Sequence, residues 1–261
     1  MKRLLGIFCC LSLSVIIVFT IMGCSVNASS NDTLKVITHG IFPPLCSIDT
    51  SGKVVGIDAD LVQIIASEMG YKKVQFDVAD HTALFAAVQS GAYDFATCLS
   101  PTPERLQMVD FTDPYMMTSL FFITRSDDTS LDGLTQQQIE TAVSGKTVGC
   151  VFGSFDYDYI SAVSGAIPVN YDNLSLEIIA LNNHQVDYIL WEFNTTSSGL
   201  IMRTYVFDKN SGIKLIETPV AASPSEIIVK KGNTQLLASL NEIIAEVKSD
   251  GRLDAIVAKY L

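Results

Sequence analysis

The segment CLSPTPERLQMVDFTDPY, from Cys98 to Tyr115, contains one arginine at the predicted start of a helix. Thr102 is a typical N-cap residue and Pro103 a typical first helical residue, so Arg105 falls in the first turn. A cation is mildly unfavourable there, because the helix dipole is positive at its N-terminus. A guanidinium beside free backbone N–H groups is, however, a good receptor for a carboxylate or a phosphate. Arg105 is therefore either an anion-binding residue or a surface arginine paired with a neighbouring acid.

The other residues that could do chemistry do not form a recognisable catalytic set. The three histidines, His39, His81 and His184, are far apart in the sequence. No nucleophile motif or glycine-rich phosphate loop follows the first predicted strand. The sequence thus predicts no catalytic residue and no cofactor.

Three cysteines follow the N-terminal region, namely Cys46, Cys98 and Cys150. No histidine or second cysteine stands at metal-ligand spacing from any of them, so no metal site is predicted. We interpret them as small buried residues. One disulfide among them is compatible with the sequence, but the spacing does not assign it.

The N-terminus carries the features of an export signal. Lys2 and Arg3 precede an uncharged apolar run, and a glycine comes directly before Cys24. This arrangement resembles a bacterial lipoprotein signal, which implies cleavage before Cys24 and attachment of diacylglycerol to its thiol. The prediction is a signal peptide over 1–23 and a flexible tether over 24–33. The alternative is an uncleaved anchor, since the apolar run could just span a bilayer. Both place the rest of the chain outside the cytoplasm.

The charge of the chain argues against nucleic acid as a partner. The sequence has 17 lysines and arginines against 28 aspartates and glutamates, a net charge of −11 with neutral histidines. No segment after the N-terminal region is long and apolar enough to cross a membrane. We therefore expect a globular body that the N-terminal lipid alone holds at the membrane.

Strands and helices alternate in the first part of this body. The predicted elements are the strand TLKVITHG, a helix over 58–69, the strand VQFDV, a helix over 82–89 and the strand YDFAT. This alternation predicts an α/β fold whose sheet is largely parallel, with helices on both faces. Ligands of such sheets bind at the carboxyl ends of the strands. Phe42, His81 and the loop 98–105 follow strands in this way, so we expect them to converge on one crevice.

The alternating pattern restarts after an apolar strand and a polar segment, RSDDTSLDGLTQQ. GKTVGCVFGSFDYDYI, AIPVNY and VDYILW supply further strands and helices, and amphipathic helices end the chain. The simplest arrangement is two lobes, with 34–124 and 218–261 in the first lobe and 125–217 in the second. Two strands, near Thr124 and near Glu217, would then cross between the lobes as a hinge.

These stretches resemble the bacterial solute-binding proteins of family 3, the extracytoplasmic amino-acid-binding subunits of ABC importers. The matching segments, in family order, are FPPL, GKVVGIDADLVQIIASEMG, SGAYDF, SPTPERLQMVDFTDPY, GKTVG and KSDGRLDAIVAKYL. The resemblance implies a two-lobed periplasmic-binding-protein fold of type II, with a ligand cleft between the lobes. It also implies a monomer that closes over an amino acid and delivers it to an ABC permease in the membrane.

The resemblance implies roles for individual residues of the first lobe and the hinge. It assigns Arg105 to the ligand's α-carboxylate, with the Ser100 hydroxyl and the backbone near Cys98 as further donors. Glu192 stands where the family usually has an aspartate for the α-ammonium. Its additional methylene would shift that ammonium by about one bond length, or admit a different cation.

The remaining predicted contacts concern the ligand's side chain. Phe42 and His81 occupy positions of aromatic residues in the family, and His39 stands where several members carry an aspartate. The histidine at that position argues against a copy of their lysine, arginine or histidine sites. The predicted second-lobe contacts are Ser154, Phe155 and Asp156. Trp191 is either a cleft residue or a core residue. Aromatic residues, Phe152 among them, together with Asp156 and Glu192 would suit a cation or an aromatic amino acid, and the sequence does not choose.

Two other functions use the same cleft. The fold has a dehydratase offshoot, so Arg105, Glu192 and His81 could serve as anchor, acid and base for a carboxylated substrate. A sensor protein would bind a ligand in the cleft and signal to a membrane receptor. A binding subunit that works with a separate permease is the prediction, because no membrane helix follows the last predicted helix.

Overall fold

The structure, a computed structural model, describes residues 32–196, 199–200 and 211–260. The predicted signal peptide, Cys24 and most of the tether lie outside these residues. Among the residues that are described, no helix is long and apolar enough to cross a membrane.

The described residues form fourteen strands and eight helices. The strands are β1 Thr33–Thr38, β2 Ile41–Phe42, β3 Cys46–Ile48, β4 Val54–Val55, β5 Lys73–Val78, β6 Phe95–Leu99, β7 Val109–Phe111, β8 Met116–Arg125, β9 Thr147–Val151, β10 Ile167–Tyr171, β11 Tyr188–Thr196, β12 Gly199–Leu200, β13 Ile213–Leu215 and β14 Ala221–Lys230. The helices are α1 Ile57–Glu68, α2 His81–Ser90, α3 Arg105–Met108, α4 Gln136–Ala142, α5 Phe155–Ala162, α6 Leu174–Asn182, α7 Thr234–Ser249 and α8 Arg252–Val257.

One long sheet runs through the molecule, with the strand order β10-β9-β11-β8-β14-β6-β1-β5. At one end β1 is parallel to β5 and β6, and at the other end β9 is parallel to β10 and β11. Between these parallel groups, β8 and β14 pair in the antiparallel direction. Each parallel group is the centre of one lobe, and the predicted two-lobed α/β fold is confirmed.

Strand β14 belongs to both lobes. Its residues 221–225 pair with β8, and its residues 226–230 pair with β6 and β7. Most of β8 belongs to the second lobe, because its residues 118–123 pair with β11. We therefore propose that the chain crosses between the lobes close to Met116 and close to Ser225, and not at the lobe limits that the sequence predicts.

The first lobe has a rigid core beneath the predicted crevice. Strand β6, FATCL, is buried at every position, as expected for a central strand that is covered on both faces. Helices α1, α7 and α8 contribute Leu61, Ile65, Leu240 and Ile256 to the same core cluster. This packing holds the loops that follow β1 and β6, which carry most of the predicted first-lobe site.

A small three-stranded sheet, β2-β3-β4, fills the stretch for which the sequence predicts only turns. The start of α1 closes it, because the N–H groups of Ile57 and Asp58 donate to the carbonyls of Pro44 and Leu45, each at 2.9 Å. Gly56 has φ +126°, and a Cβ there would overlap the Leu45 carbonyl oxygen. This close approach fixes Asp58 beneath the cleft.

Glu177 on α6 is a buried acid without a counter-charge. It is 0% exposed, and neither carboxylate oxygen has a hydrogen-bond partner among the described residues. Burial, with Asp156 nearby, raises its pKa well above the usual range, so the side chain is neutral in the folded protein. Burial of its two oxygens destabilises the folded protein, because they lose their hydrogen bonds to water and gain none from the described residues.

We expect Glu177→Met to stabilise the protein by about 1 to 3 kcal/mol, because the replacement removes two unsatisfied buried oxygens at similar volume. Urea unfolding measures the change. The control is Glu242→Met, since Glu242 is exposed on α7. A Glu177→Met variant that unfolds at lower urea than the parent protein would contradict the prediction.

Candidate ligand-binding cleft

A cavity lies between the lobes, at the carboxyl ends of β1, β6 and β9. Its free volume is about 40 Å³, enough for about three water molecules. All ten predicted ligand-binding residues line it: His39, Phe42, His81, Cys98, Ser100, Arg105, Ser154, Phe155, Asp156 and Glu192. Four further residues complete the wall: Ile41, Leu99, Val151 and Trp191. The expected convergence on one crevice is confirmed, whereas the roles of these residues toward a ligand stay predictions.

Arg105 connects the two lobes across the cleft. Its side chain is buried, and Nη1 donates to the carbonyl of Ser100 in its own lobe at 2.8 Å. Nη2 donates to the carbonyl of Gly153 and to Asp158 Oδ2 in the opposite lobe, each at 2.8 Å. The guanidinium also lies 5.4 Å from the ring centre of Phe85, a cation–π distance. Arg105 is thus a buried cation whose acidic partner comes from the facing lobe.

Thr102 holds the backbone of Arg105, but it is not the N-cap residue of α3 that the sequence predicts. Its Oγ1 accepts the N–H of Arg105 at 3.2 Å. Helix α3 itself begins only at Arg105, with Glu104 as the N-cap residue, so the prediction of Pro103 as the first helical residue was wrong. Because α3 has four residues, its dipole is small and contributes little to anion binding.

Burial disfavours both charges of the Arg105–Asp158 pair. It lowers the pKa of Arg105 and raises the pKa of Asp158, and in each case the partner's charge opposes the shift. The side chain of Asp158 is still 40% exposed, so water can solvate its carboxylate away from the guanidinium. A ligand carboxylate can therefore replace Asp158 at Arg105 without leaving a buried charge unpaired. Asp158 was missed in the sequence, where only its two-residue spacing from Asp156 on α5 hints at it.

Glu192 ends a chain of short hydrogen bonds at the hinge. Ser223 Oγ donates to Glu192 Oε1 at 2.7 Å, Ser100 Oγ lies 2.6 Å from Ser223 Oγ, and Ser100 donates to the carbonyl of Pro224 at 2.8 Å. The two hydroxyls supply two protons for three contacts. When Glu192 is protonated, it can donate to Ser223, and Ser223 can then donate to Ser100, so that all three contacts have a proton. Burial, with Asp156 nearby, raises the pKa of Glu192 to about 7, although the Ser223 hydrogen bond opposes the shift. Glu192 therefore exchanges its proton near neutral pH.

The segment FGSFD leads into α5, and its last three residues face the cleft as predicted. Ser154 is the N-cap residue, and its Oγ accepts the N–H of Tyr157 at 3.2 Å. Asp156 is buried in the first turn, where its Oδ2 accepts the N–H of Val151 at 3.3 Å. Burial raises the pKa of Asp156 to about 6. The prediction of Phe152 as a cleft aromatic was wrong, because Phe152 is 54% exposed and packs against Tyr157 outside the cavity.

Aromatic rings form part of the cleft wall. His39 and His81 stack with ring centres 4.2 Å apart, and Phe42 meets Trp191 edge to face at 5.9 Å. Trp191 belongs to both the cavity wall and the core, and its Nε1 has no hydrogen-bond partner among the described residues. Burial, with the charges of His39 and Arg105, lowers the pKa of His81 well below its usual value. His81 is therefore a neutral stacking surface.

Beneath His39 the fold assembles a polar group that sequence spacing did not reveal. Cys46 Sγ lies 3.7 Å from His39 Nδ1, and His39 Nε2 lies 3.2 Å from the carbonyl oxygen of Cys98. Tyr115 Oη donates to Asp58 Oδ1 at 2.8 Å and accepts the N–H of Cys98 at 3.2 Å. That N–H, which the resemblance assigned to a ligand, thus has a partner within the protein.

Electrostatic coupling links the members of this polar group. Burial raises the pKa of Asp58 to about 8, and the nearby Cys46 adds to the shift. Burial alone would lower the pKa of His39, but Cys46 and Asp58 outweigh it and raise the pKa. The three cysteines Cys46, Cys98 and Cys150 are free thiols in the structure, with no disulfide between them.

A two-lobed α/β fold with shared central strands, and a charged cleft walled by both lobes, defines a ligand-binding protein of the periplasmic-binding type. A family profile for the bacterial extracellular solute-binding proteins, family 3, matches residues 34–261. The chain belongs to that family.

Individual relatives agree with this assignment. The chain is 27% identical over 235 residues to a protein of Campylobacter jejuni subsp. jejuni serotype O:2 named "Probable histidine-binding protein", covering 90% of this chain and 87% of the relative. It is 27% identical over 216 residues to the "ABC transporter glutamine-binding protein GlnH" of Bacillus subtilis (strain 168), covering 81% and 74%. Its fold is similar to the solved structure of an ancestral arginine-binding protein bound to arginine, with a TM-score of 0.75, 30% identity, and coverage of 88% and 99%.

Proposed function

We propose that this protein is the extracytoplasmic substrate-binding subunit of an ABC importer, and that it captures an amino acid or a close analogue between its lobes. The observation that carries the proposal is that one buried cation, Arg105, and two buried acids, Glu192 and Asp156, line the same cavity. A zwitterionic α-amino acid presents one carboxylate and one ammonium, which match these charges. The names of the relatives, which refer to histidine, glutamine and arginine, support the same class of ligand.

In this proposal the ligand's carboxylate takes the place of Asp158 at the guanidinium of Arg105. The ammonium binds Glu192 and Asp156, and the side chain packs against the aromatic wall at His81. Because such a ligand contacts both lobes at once, it stabilises the closed arrangement and shifts the population toward it. The permease would then recognise the closed form.

The proposal also concerns how the protein is held at the membrane and whether its cleft is catalytic. We infer that Cys24 carries a lipid that holds a monomeric protein at the outer face of the membrane, and mass spectrometry of the mature N-terminal peptide would detect diacylglycerol on Cys24. We also infer a non-catalytic cleft. Dehydratase-like turnover would instead convert a bound carboxylated substrate during incubation, and proton NMR of the recovered ligand would detect the product.

The test is a thermal-shift screen of the full chain against the twenty amino acids, cystine and simple carboxylates. A ligand at one hundred times its Kd should stabilise the protein by about 2.7 kcal/mol. Trp191 is the one tryptophan of the sequence and lines the cleft, so its fluorescence should respond to the same ligand. The proposal would be contradicted if simple carboxylates, which lack an amino group, bound as tightly as the best amino acid in the screen.

A further inference from the structure

A buried cluster under the cleft has the composition of a metal-binding site. His39, Cys46 and Cys98 each offer one ligand atom, and these atoms all lie within 4.8 Å of one another. All three side chains are buried, with exposed fractions of 5%, 0% and 9%. We propose that these three residues bind one Zn²⁺ ion. The inference does not rest on the proposed transport function, because it concerns side chains of the first lobe alone.

One ring nitrogen of His39 contacts a backbone carbonyl, as is common in metal-bound histidines. In the tautomer that carries the proton on Nε2, the ring donates to the carbonyl of Cys98 at 3.2 Å. Nδ1 then keeps its lone pair, and Cys46 Sγ lies 3.7 Å from each of the two ring nitrogens. The competing N–H of Ile41 is 3.5 Å away, too long for a strong hydrogen bond. A backbone carbonyl that accepts the second ring N–H is a common way to fix a histidine ligand.

The backbone of Cys98 is held in an uncommon conformation. Its φ is +64°, in the left-handed region that residues with a Cβ rarely adopt. Its N–H donates to Tyr115 Oη and its carbonyl accepts from His39, so hydrogen bonds hold both of its polar backbone groups in place. Backbone strain that the surrounding structure supports in this way is concentrated at functional sites. Here it keeps the Cys98 thiol within reach of the other two ligand atoms.

Unsatisfied oxygens surround the cluster. Thr38 Oγ1, Thr97 Oγ1 and Asp58 Oδ2 are buried and make no hydrogen bond of good geometry among the described residues, although Thr38 lies beside Cys46 and Thr97 beside Asp58. Thr38 and Thr97 directly precede His39 and Cys98 in the chain. Buried oxygens without partners are rare in native proteins and call for an explanation. A bound metal would explain the two hydroxyl groups, because metal-bound thiolates accept hydrogen bonds from a second layer of residues.

The ligand set favours zinc over harder cations. Thiolates and imidazole are the usual zinc ligands, and two thiolates balance the charge of Zn²⁺. Three protein ligands leave the fourth tetrahedral position open. His39 and Cys98 also line the cavity, so the open position is accessible from the cleft. Water, or a group of the bound ligand, can complete the coordination there.

The experiment uses the full chain, purified in detergent with a reductant and then freed of metal. Calorimetric titration with ZnCl₂ should show one equivalent bound per chain, and Co²⁺ should give thiolate-to-metal charge-transfer absorption. Cys98→Ser is expected to weaken Zn²⁺ binding by about 100-fold or more. The matched control is Cys150→Ser, because Cys150 is an equally buried free thiol on β9 of the other lobe. Its removal should leave Zn²⁺ affinity unchanged.

Several results would contradict the zinc proposal. The first is an equal Zn²⁺ affinity of the Cys98→Ser variant and the parent protein. A disulfide between Cys46 and Cys98, found by peptide mapping of protein isolated from cells without reductant, is another, because it removes both thiolates. Where circular dichroism shows that Cys98→Ser does not fold, His39→Gln gives the same test with both thiols intact. A His39→Gln variant that folds and binds Zn²⁺ as tightly as the parent protein would also exclude the site.

Discussion

Replacing Arg105 by methionine is expected to weaken binding of the cognate amino acid by about 2 to 5 kcal/mol, or roughly 30- to 4,000-fold. Methionine can keep the apolar contact with Phe85 but offers no donor to a carboxylate. The loss is large because the guanidinium is buried and its donors are already directed across the cleft toward Gly153 and Asp158. Isothermal titration calorimetry with the ligand from the screen measures the effect.

Asp158→Asn is expected to act in the opposite direction and tighten binding by about tenfold, because the carboxylate that competes for Arg105 is removed. In the Arg105→Met background the same change should have little effect, so a double-mutant cycle tests whether Asp158 acts through Arg105. Arg252→Met is the matched control, since Arg252 pairs with Glu68 and Asp250 away from the cleft. Weaker binding in Asp158→Asn would show that Asp158 holds the ligand and does not compete with it.

The stability of the ligand-free protein is expected to fall as pH rises from about 5 to 8. Burial raises the pKa of Asp156 to about 6, of Glu192 to about 7 and of Asp58 to about 8. The pKa of each of these acids is higher in the folded protein than in the unfolded chain. Each acid therefore makes its whole contribution to the free energy of unfolding when the pH is below its unfolded-state pKa. That contribution is lost as pH rises through the folded value.

The expected change is several kcal/mol, since each pKa unit of each group corresponds to about 1.4 kcal/mol. Thermal unfolding should therefore shift down by about 2 to 4 °C for each kcal/mol lost. His81 acts in the other direction, because its lowered pKa costs stability as pH falls below its unfolded value. We therefore expect a maximum of stability on the acidic side of neutrality.

Melting curves at half-unit pH steps test this prediction. Glu192→Gln keeps the acceptor for Ser223 but removes the titrating group, so its stability should fall less between about pH 5 and 7. Glu242→Gln, on the exposed face of α7, should follow the parent protein at every pH. Stability that is constant or that rises over this range would refute the prediction of protonated buried acids.

The first-lobe site could be predicted because its residues follow strand ends in a recognisable order. Phe42, His81 and Arg105 each come after a predicted strand, and parallel strands bring their carboxyl ends to one edge. The second-lobe residues Ser154 and Asp156, which the family resemblance implied, lie in the same way at the end of β9. Local sequence patterns thus identify the first-lobe wall of the cleft, and the resemblance identifies the second-lobe wall.

The partners of these residues could not be predicted, because they come from distant parts of the chain. Asp158 lies 53 residues from Arg105, and Ser223 lies 31 residues from Glu192. Cys46 meets His39 through the small sheet β2-β3-β4, for which the sequence analysis has no element, and Cys98 meets it through the pairing of β6 with β1. Periodicity reports which face of an element is buried, but it does not report which buried side chains meet.

The pairing of β8 with β14 also bears on how such receptors can change their cargo. Met116 and Ser225 are partners in that pairing, so the two proposed crossings between the lobes are neighbouring points. When the two ends of a segment are adjacent, recombination can replace that segment without changing the structure of the remaining lobe. The half that remains carries Arg105 and His81, the proposed contacts of the carboxylate and the side chain, while the exchanged half carries Asp156 and Glu192, the proposed contacts of the ammonium. Duplicated genes of this architecture could therefore change the group that binds the ammonium, and keep the other two contacts, by trading one contiguous block.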